Sequence, residues 1–288
     1  MRRKNSIHRK FFELNDQYKI PQIGLGTVNI RGAKGVNAIL SAIDNGYRYI
    51  DTSTNYHDEG AVGEAVRRSS LPREELIIVS KLPGADHEFD AALEIIQEQL
   101  FRTGLDYFDA YLIHWPLPKH DKYVEAWKAL IQAQKLGLIK TIGVSNFMPD
   151  HLDRIIEETG VAPAINQSER HPYFNNIDVV KADAERNVLT QAWSPFGRAT
   201  KNNVLEDKTI TDIGEKYGKS NAQVIIRWNL QNGVMPIVKS SNPARQKENL
   251  NVFDFELTQE DIDAINALDQ GEDGRIDGQN PYTYEEWV

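Results

Sequence analysis

Four side chains of complementary chemistry stand at or just beyond the ends of apolar runs: Asp51, Tyr56, Lys81 and His114. In "GYRYIDTSTNY", Gly46 to Tyr56, a strand-like run finishes on a carboxylate, and a phenol follows five residues later. Lys81 closes "LIIVSK", and His114 lies in "DAYLIHW". A buried ammonium at Lys81 needs a counter-ion, which Asp51 can supply. A cation beside a phenol favours phenolate and is expected to lower the Tyr56 pKa from about 10, making it a proton donor near neutral pH. His114 can orient a substrate oxygen or relay a proton. Such a set suits protonation of a carbonyl oxygen while something else attacks the carbon. A single Asp, Lys or His at a strand end is more often structural. The four types together point to a site.

These residues meet only if the fold brings strand ends to one rim. The candidate strands are "QIGLGT", "YRYIDT", "LIIVSK", "DAYLIHW", "TIGVSN", "PAINQSE", "TQAWSP" and "MPIVKSS". They do not alternate, which indicates strands buried on both faces and a parallel sheet. Amphipathic stretches such as "DAALEIIQEQLFRTG" and "YVEAWKALIQAQKLG" lie between them and end on glycine, a helix stop. Strand then helix, repeated about eight times, predicts a (β/α)8 TIM barrel, whose active site forms at the C-terminal strand ends. Those ends carry Asp51, Lys81, His114, Ser145, Asn146, Gln167, Glu169, Ser194, Lys239 and Ser240. A doubly wound sheet competes, but Gly24-Leu25-Gly26 lacks the third glycine of a dinucleotide fingerprint, with Asn29 in its place. The two glycines either let backbone pass close to something at the barrel mouth or form a plain tight turn. "FFELNDQYKI" reads as a hairpin turning at Asn15-Asp16. Residues 1–288 read as one barrel domain, with 1–10 as a flexible tail and 270–288 as a C-terminal loop over the barrel mouth.

Composition narrows the function. The chain has 288 residues and a net charge of −9, which argues against nucleic acid as a partner. No run approaches the roughly 18 apolar residues of a membrane span, and the basic start lacks the apolar core of a secretory signal. With no cysteine, disulfides, thiolate catalysis and Cys-based metal sites are excluded. The remaining histidines, His57, His87, His120, His151 and His171, show no metal-binding spacing and read as surface or packing residues. No metal is expected, and a cytoplasmic location fits.

Taken together, the segments resemble the aldo-keto reductase family over nearly the whole chain. "GYRYIDTSTNYHDEGAVGEAV", "IVSKLP" and "LIHWP" resemble the segments bearing the family's aspartate, tyrosine, lysine and histidine. "IGVSNF", "INQSERHP" and "QAWSPFG" resemble cofactor-contacting segments, and "IVKSSNPARQKEN" resembles the closing signature. The short loop after Trp115-Pro116 is most similar to the bacterial branch that includes 2,5-diketo-gluconate reductases. The sequence departs from the family pattern at Ser53, Asp58, Val238 and Val28, the last of which widens the expected substrate pocket.

The resemblance implies NADPH-dependent reduction of aldehydes or ketones by hydride transfer. It implies Tyr56 as general acid, Lys81 and Asp51 behind it, and His114 on the carbonyl. By position, Trp193 is expected to stack on the nicotinamide, with Ser145, Asn146 and Gln167 on its carboxamide. Gly26, Thr27 and the segment Ser194, Phe196 and Gly197 are expected to line the ribose and pyrophosphate path. Lys239, Ser240, Ser241 and Arg245 form the expected cradle for a 2′-phosphate, which favours NADPH, with Glu248 and Asn249 at the adenine end. The substrate pocket is expected to be apolar, from Val28, Trp115 and the tail aromatics Tyr282 or Trp287; Tyr284 is a further tail anchor. The resemblance also implies a monomer acting on a small carbonyl compound. Two rivals share the fold: a lysine Schiff-base lyase using Lys81, and a non-catalytic nicotinamide-binding regulator.

Overall fold

The computed structural model of the chain describes residues 11–198 and 203–286. The expected tail over 1–10 lies outside the described residues, as does Trp287. Strands β1 (Phe11–Glu13) and β2 (Lys19–Pro21) form the antiparallel hairpin read from the sequence, with Phe12 opposite Ile20. Eight further strands close into a parallel barrel. They are β3 (Gly24–Gly26), β4 (Tyr49–Asp51), β5 (Ile77–Leu82), β6 (Phe108–Ile113), β7 (Ile139–Ser145), β8 (Ile165–Glu169), β9 (Leu189–Trp193) and β10 (Met235–Val238). β10 pairs with both β9 and β3, which completes the ring. Each expected strand is present, because runs buried on both faces have no other stable place than a sheet covered by helices.

Helices α1 (Gly32–Asn45), α2 (Glu59–Arg68), α3 (Phe89–Thr103), α4 (Tyr123–Lys135), α5 (Pro149–Thr159) and α6 (Ile177–Glu185) each follow a strand. Two helices, α7 (Lys208–Tyr217) and α8 (Asn221–Gln231), separate β9 from β10; α9 (Pro243–Leu250) and α10 (Gln259–Asn266) follow it. Gly104 ends α3 at φ 69°, a backbone angle at which a side chain would be strained.

Two apolar layers hold the sites of interest in place. The helix-facing layer joins Ile39, Ile78, Ile96, Trp127 and Phe147. Inside the ring, Tyr49, Ile77, Val79, Leu112, Ile165 and Met235 pack with Ile20 of the hairpin. The hairpin therefore plugs the N-terminal end of the barrel. Asn15 Nδ2 donates to the Pro163 carbonyl, 2.8 Å, and Asp16 accepts from Thr141 Oγ1, 2.8 Å, fixing the plug. With that end sealed, the C-terminal rim is the open one. No helix among the described residues is long and apolar enough to cross a membrane.

Candidate active site

The open rim holds a cavity of about 670 Å³, within the range of small-molecule sites. Asp51, Tyr56, His114, Trp115, Gln167, Trp193 and Lys239 are among its lining residues. Asp51 is the last residue of β4, Lys81 lies near the end of β5, and His114 follows β6 directly. Tyr56 ends a single 3₁₀ turn, Thr54–Tyr56, just beyond β4. Ser53 starts that turn by accepting from the Asn55 N–H at 3.4 Å.

Lys81 is fully buried, and its Nζ donates to Asp51 Oδ1 at 2.6 Å and to the Thr52 carbonyl at 2.9 Å. The ammonium lies 5.1 Å from the centre of the Tyr56 ring. The His114 ring meets Tyr56 edge-on with centroids 6.2 Å apart. The four residues singled out by type therefore gather at one end of one cavity. Their electrostatics differ from the expectation in one respect. Tyr56 as a whole is half-buried, but burial of its hydroxyl is the largest influence and raises its pKa; the Lys81 charge opposes this without reversing it. For Lys81, burial acts to lower the pKa, yet Asp51 and Tyr56 outweigh it and the group stays firmly cationic.

A polar chain backs this pair. Gln167 Nε2 donates to Asp51 Oδ2, 2.8 Å, and to Gln191 Oε1, 3.0 Å; Gln191 Nε2 in turn donates to the Tyr49 hydroxyl, 2.8 Å. Strands β4, β5, β8 and β9 are thus tied together through fully buried side chains, an arrangement that is rigid when every member is satisfied. Gln191 was missed in the sequence; its signal is an amide inside the apolar run "TQAW".

The residues expected to hold a cofactor divide into two groups. Gly26, Ser145, Asn146, Gln167, Trp193, Ser194, Phe196, Gly197 and Lys239 line the cavity. Thr27 is buried behind the wall, where its Oγ1 donates to the Asp51 carbonyl at 3.0 Å. Ser145 and Asn146 are already engaged: Ser145 Oγ donates to the Gln167 carbonyl at 2.7 Å, and Asn146 Nδ2 donates to the His114 carbonyl at 2.9 Å. Trp193 Nε1 donates to Asn146 Oδ1 at 2.8 Å, which fixes the indole along the wall. Asn146 and Ser194 hold φ of 63° and 47°, left-handed values that suit residues locked by a functional wall.

Ser240, Ser241, Arg245, Glu248 and Asn249 lie outside the cavity lining. Glu248 accepts from Ser220 Oγ at the start of α8. Arg245 is exposed on the first turn of α9. Lys239 is exposed at the cavity edge and has no ionic partner among the described residues. Arg198 and Gln279 line the cavity as well, and were not anticipated.

The substrate end needs one correction. Val28 and Trp115 line the cavity, but Tyr282 does not. Tyr282 lies outside, donating to Asp150 Oδ1 at 2.7 Å and packing on His151. Tyr284 takes the wall position instead, its ring 4.3 Å from that of Trp115. Which tail aromatic faces inward depends on how the tail crosses the rim, and residue type alone does not carry that.

Comparison with known proteins agrees with this fold. Residues 22–270 match the Aldo/keto reductase family. The chain is similar to 2,5-diketo-D-gluconic acid reductase B of Corynebacterium sp. (strain SHS752001), 44% identical over 273 residues, covering 95% of this chain and 97% of that protein. It is similar to methylglyoxal reductase DkgA of Escherichia coli (strain K12), 44% identical, covering 90% and 93%. A solved Bombyx mori aldo-keto reductase in complex with NADP superposes with a TM-score of 0.88 at 32% identity, covering 96% and 98%. The chain belongs to the aldo/keto reductase family.

Proposed function

We propose that this chain reduces aldehydes or ketones to alcohols with NADPH, Tyr56 acting as general acid within a set completed by Asp51, Lys81 and His114. The observation that carries this reading is the buried Lys81–Asp51 pair beneath Tyr56, at the end of a cavity that His114 also lines. The donor set fits a nicotinamide nucleotide. Lys239 is a cation without an ionic partner among the described residues, Gly26 and Gly197 present backbone to the cavity, and the Trp193 indole forms a flat wall. Both hydrogens of Gln167 Nε2 are engaged, which leaves its Oε1 as an acceptor for a carboxamide N–H.

When bound, NADPH supplies the hydride. The protein supplies orientation and a proton. Trp193, Ser145, Asn146 and Gln167 hold the ring; Lys239 and Arg245 attract the phosphates, the 2′-phosphate included. His114 hydrogen-bonds the substrate carbonyl and fixes its direction. Tyr56 hands its hydroxyl proton to the carbonyl oxygen as negative charge develops there. Lys81, anchored by Asp51, stabilises the phenolate left behind. Trp115, Tyr284 and Val28 exclude water on the substrate side. The relatives named for 2,5-diketo-D-gluconic acid and methylglyoxal support small polar carbonyl compounds as the substrate class. The reading also takes residues 1–288 as one barrel domain and the enzyme as a cytoplasmic monomer. An NADPH-oxidation assay across aldehydes, α-diketones and keto sugars tests the function. Turnover of at least one class is expected, and no turnover of any would contradict it.

A further inference from the structure

A carboxylate from the far end of the chain sits beside His114. The tail after α10 crosses the rim and is tied down along its length. Lys119 Nζ donates to the Thr283 carbonyl at 3.3 Å, the Tyr284 ring packs on Trp115, and Glu285 meets Lys119 and His120 at 3.0 and 2.9 Å. Glu286 then turns inward and is only 5% exposed. Its Oε2 accepts from the Gly84 N–H at 2.7 Å and its Oε1 from Asn55 Nδ2 at 2.5 Å. The same Oε1 lies within ion-pairing distance of His114 Nδ1, without the alignment of a straight hydrogen bond.

Three loops, those after β4, β5 and β6, thus converge on one tail carboxylate. The place is shaped for it. A Cβ on Gly84 would fall 3.2 Å from Glu286 Oε2 and 2.5 Å from Leu117 Cδ1, so glycine gives the carboxylate its close approach to the backbone N–H without displacing the Leu117 side chain. Burial acts to raise the Glu286 pKa, but His114 and the Gly84 N–H outweigh it and hold the group below the usual carboxylate range.

An imidazole whose Nδ1 faces a buried carboxylate carries its proton there. A neutral ring would then have no proton on Nε2 and could only accept at that atom. To donate to a carbonyl from Nε2 while holding Glu286 from Nδ1, the ring must carry both protons. We propose that Glu286 is a positioning residue, holding His114 by Nδ1 as a doubly protonated imidazolium whose Nε2–H faces the substrate carbonyl. This rests on the reading of His114 given above. The other ionisable groups around His114 do not supply that charge. Lys81 and Asp51 are paired with each other, and His120 is paired with Glu285 at the surface. Tyr56 is neutral, and His87, pushed down to about 4 by burial, is neutral as well.

The test uses the full chain with NADPH and a neutral aldehyde, benzaldehyde. Wild type, Glu286→Gln, Glu286→Asp, His114→Gln and the Glu286→Gln/His114→Gln pair are compared by kcat/KM against pH, with NADPH affinity as the check on folding. Glu286→Gln is expected to lower kcat/KM about tenfold and to move its alkaline fall down by at least about one pH unit, with NADPH affinity within about twofold. Glu286→Asp is expected to restore part of the loss. In the His114→Gln background, Glu286→Gln is expected to change nothing. Nitrogen-15 NMR of the wild type at pH 7 needs no variant, and is expected to find both His114 ring nitrogens protonated. An unshifted profile, an equal loss in the His114→Gln background, or a neutral His114 ring overturns the role of Glu286 alone. A His114→Gln protein with wild-type rates overturns the reading of His114 itself, and this proposal with it.

Discussion

Lys81 Nζ lies 2.6 Å from Asp51 Oδ1, and neither side chain is more than 3% exposed. A buried pair of this kind adds little stability against an apolar replacement, while losing one partner leaves a stranded charge. Its value here is to keep an ammonium fixed beneath the phenol of Tyr56. Lys81→Met is therefore expected to lower stability by about 3–5 kcal/mol and kcat by at least about 10²-fold. The double variant Lys81→Met/Asp51→Asn is expected to recover stability without activity. Urea denaturation alongside turnover reads both; a Lys81→Met protein as stable as wild type would contradict the stranded charge.

The raised pKa of Tyr56 sets a direction for the reverse reaction. Reduction needs the protonated phenol, and oxidation of an alcohol needs the phenolate. Because burial keeps the proton on Tyr56 through neutral pH, kcat for alcohol oxidation is expected to climb steadily between about pH 7 and 10. A plateau already reached near pH 7 would show instead that the Lys81 charge prevails.

Much of this arrangement was legible in the sequence. The eight strands were visible because runs such as "LIIVSK" are apolar on both faces, and the gathering of Asp51, Lys81 and His114 at one rim was visible because each stands at the end of such a run. The net effect on Tyr56 was not, because burial of a hydroxyl depends on residues distant in sequence. Glu286 was hidden for a similar reason. It is one acid in an acidic tail, and only the path of that tail across the rim brings it to His114. Tyr282 and Tyr284, two residues apart, point to different places for the same reason.

Away from the rim, Asp183 on α6 is buried, accepting from Asn166 Nδ2 at 2.9 Å and Thr190 Oγ1 at 2.7 Å. Burial, only partly offset by these donors, pushes its pKa up to about 7. A carboxyl whose pKa is raised by folding contributes stability that is complete below about pH 4, its unfolded value, and is lost as pH rises through about 7. Asp183→Asn is expected to raise Tm relative to wild type at about pH 8, and to change it little at about pH 4. A lower Tm for the variant at both pH values would contradict this.

The 2′-phosphate role predicted for Arg245 separates the two nicotinamide nucleotides. Arg245→Ala is expected to weaken NADPH binding about tenfold, the scale of one charge-assisted hydrogen bond, and to leave NADH binding within about twofold. Fluorescence titration of both cofactors decides it, and equal losses would remove the role.

The most direct test of proton delivery by Tyr56 is the turnover of Tyr56→Phe, measured on protein whose NADPH affinity is first shown to match the wild type. The substitution keeps the ring against Lys81 and His114 and removes only the hydroxyl. A fall in kcat of at least about 10²-fold with cofactor binding intact is the predicted result. Reduction at the wild-type rate would contradict the account.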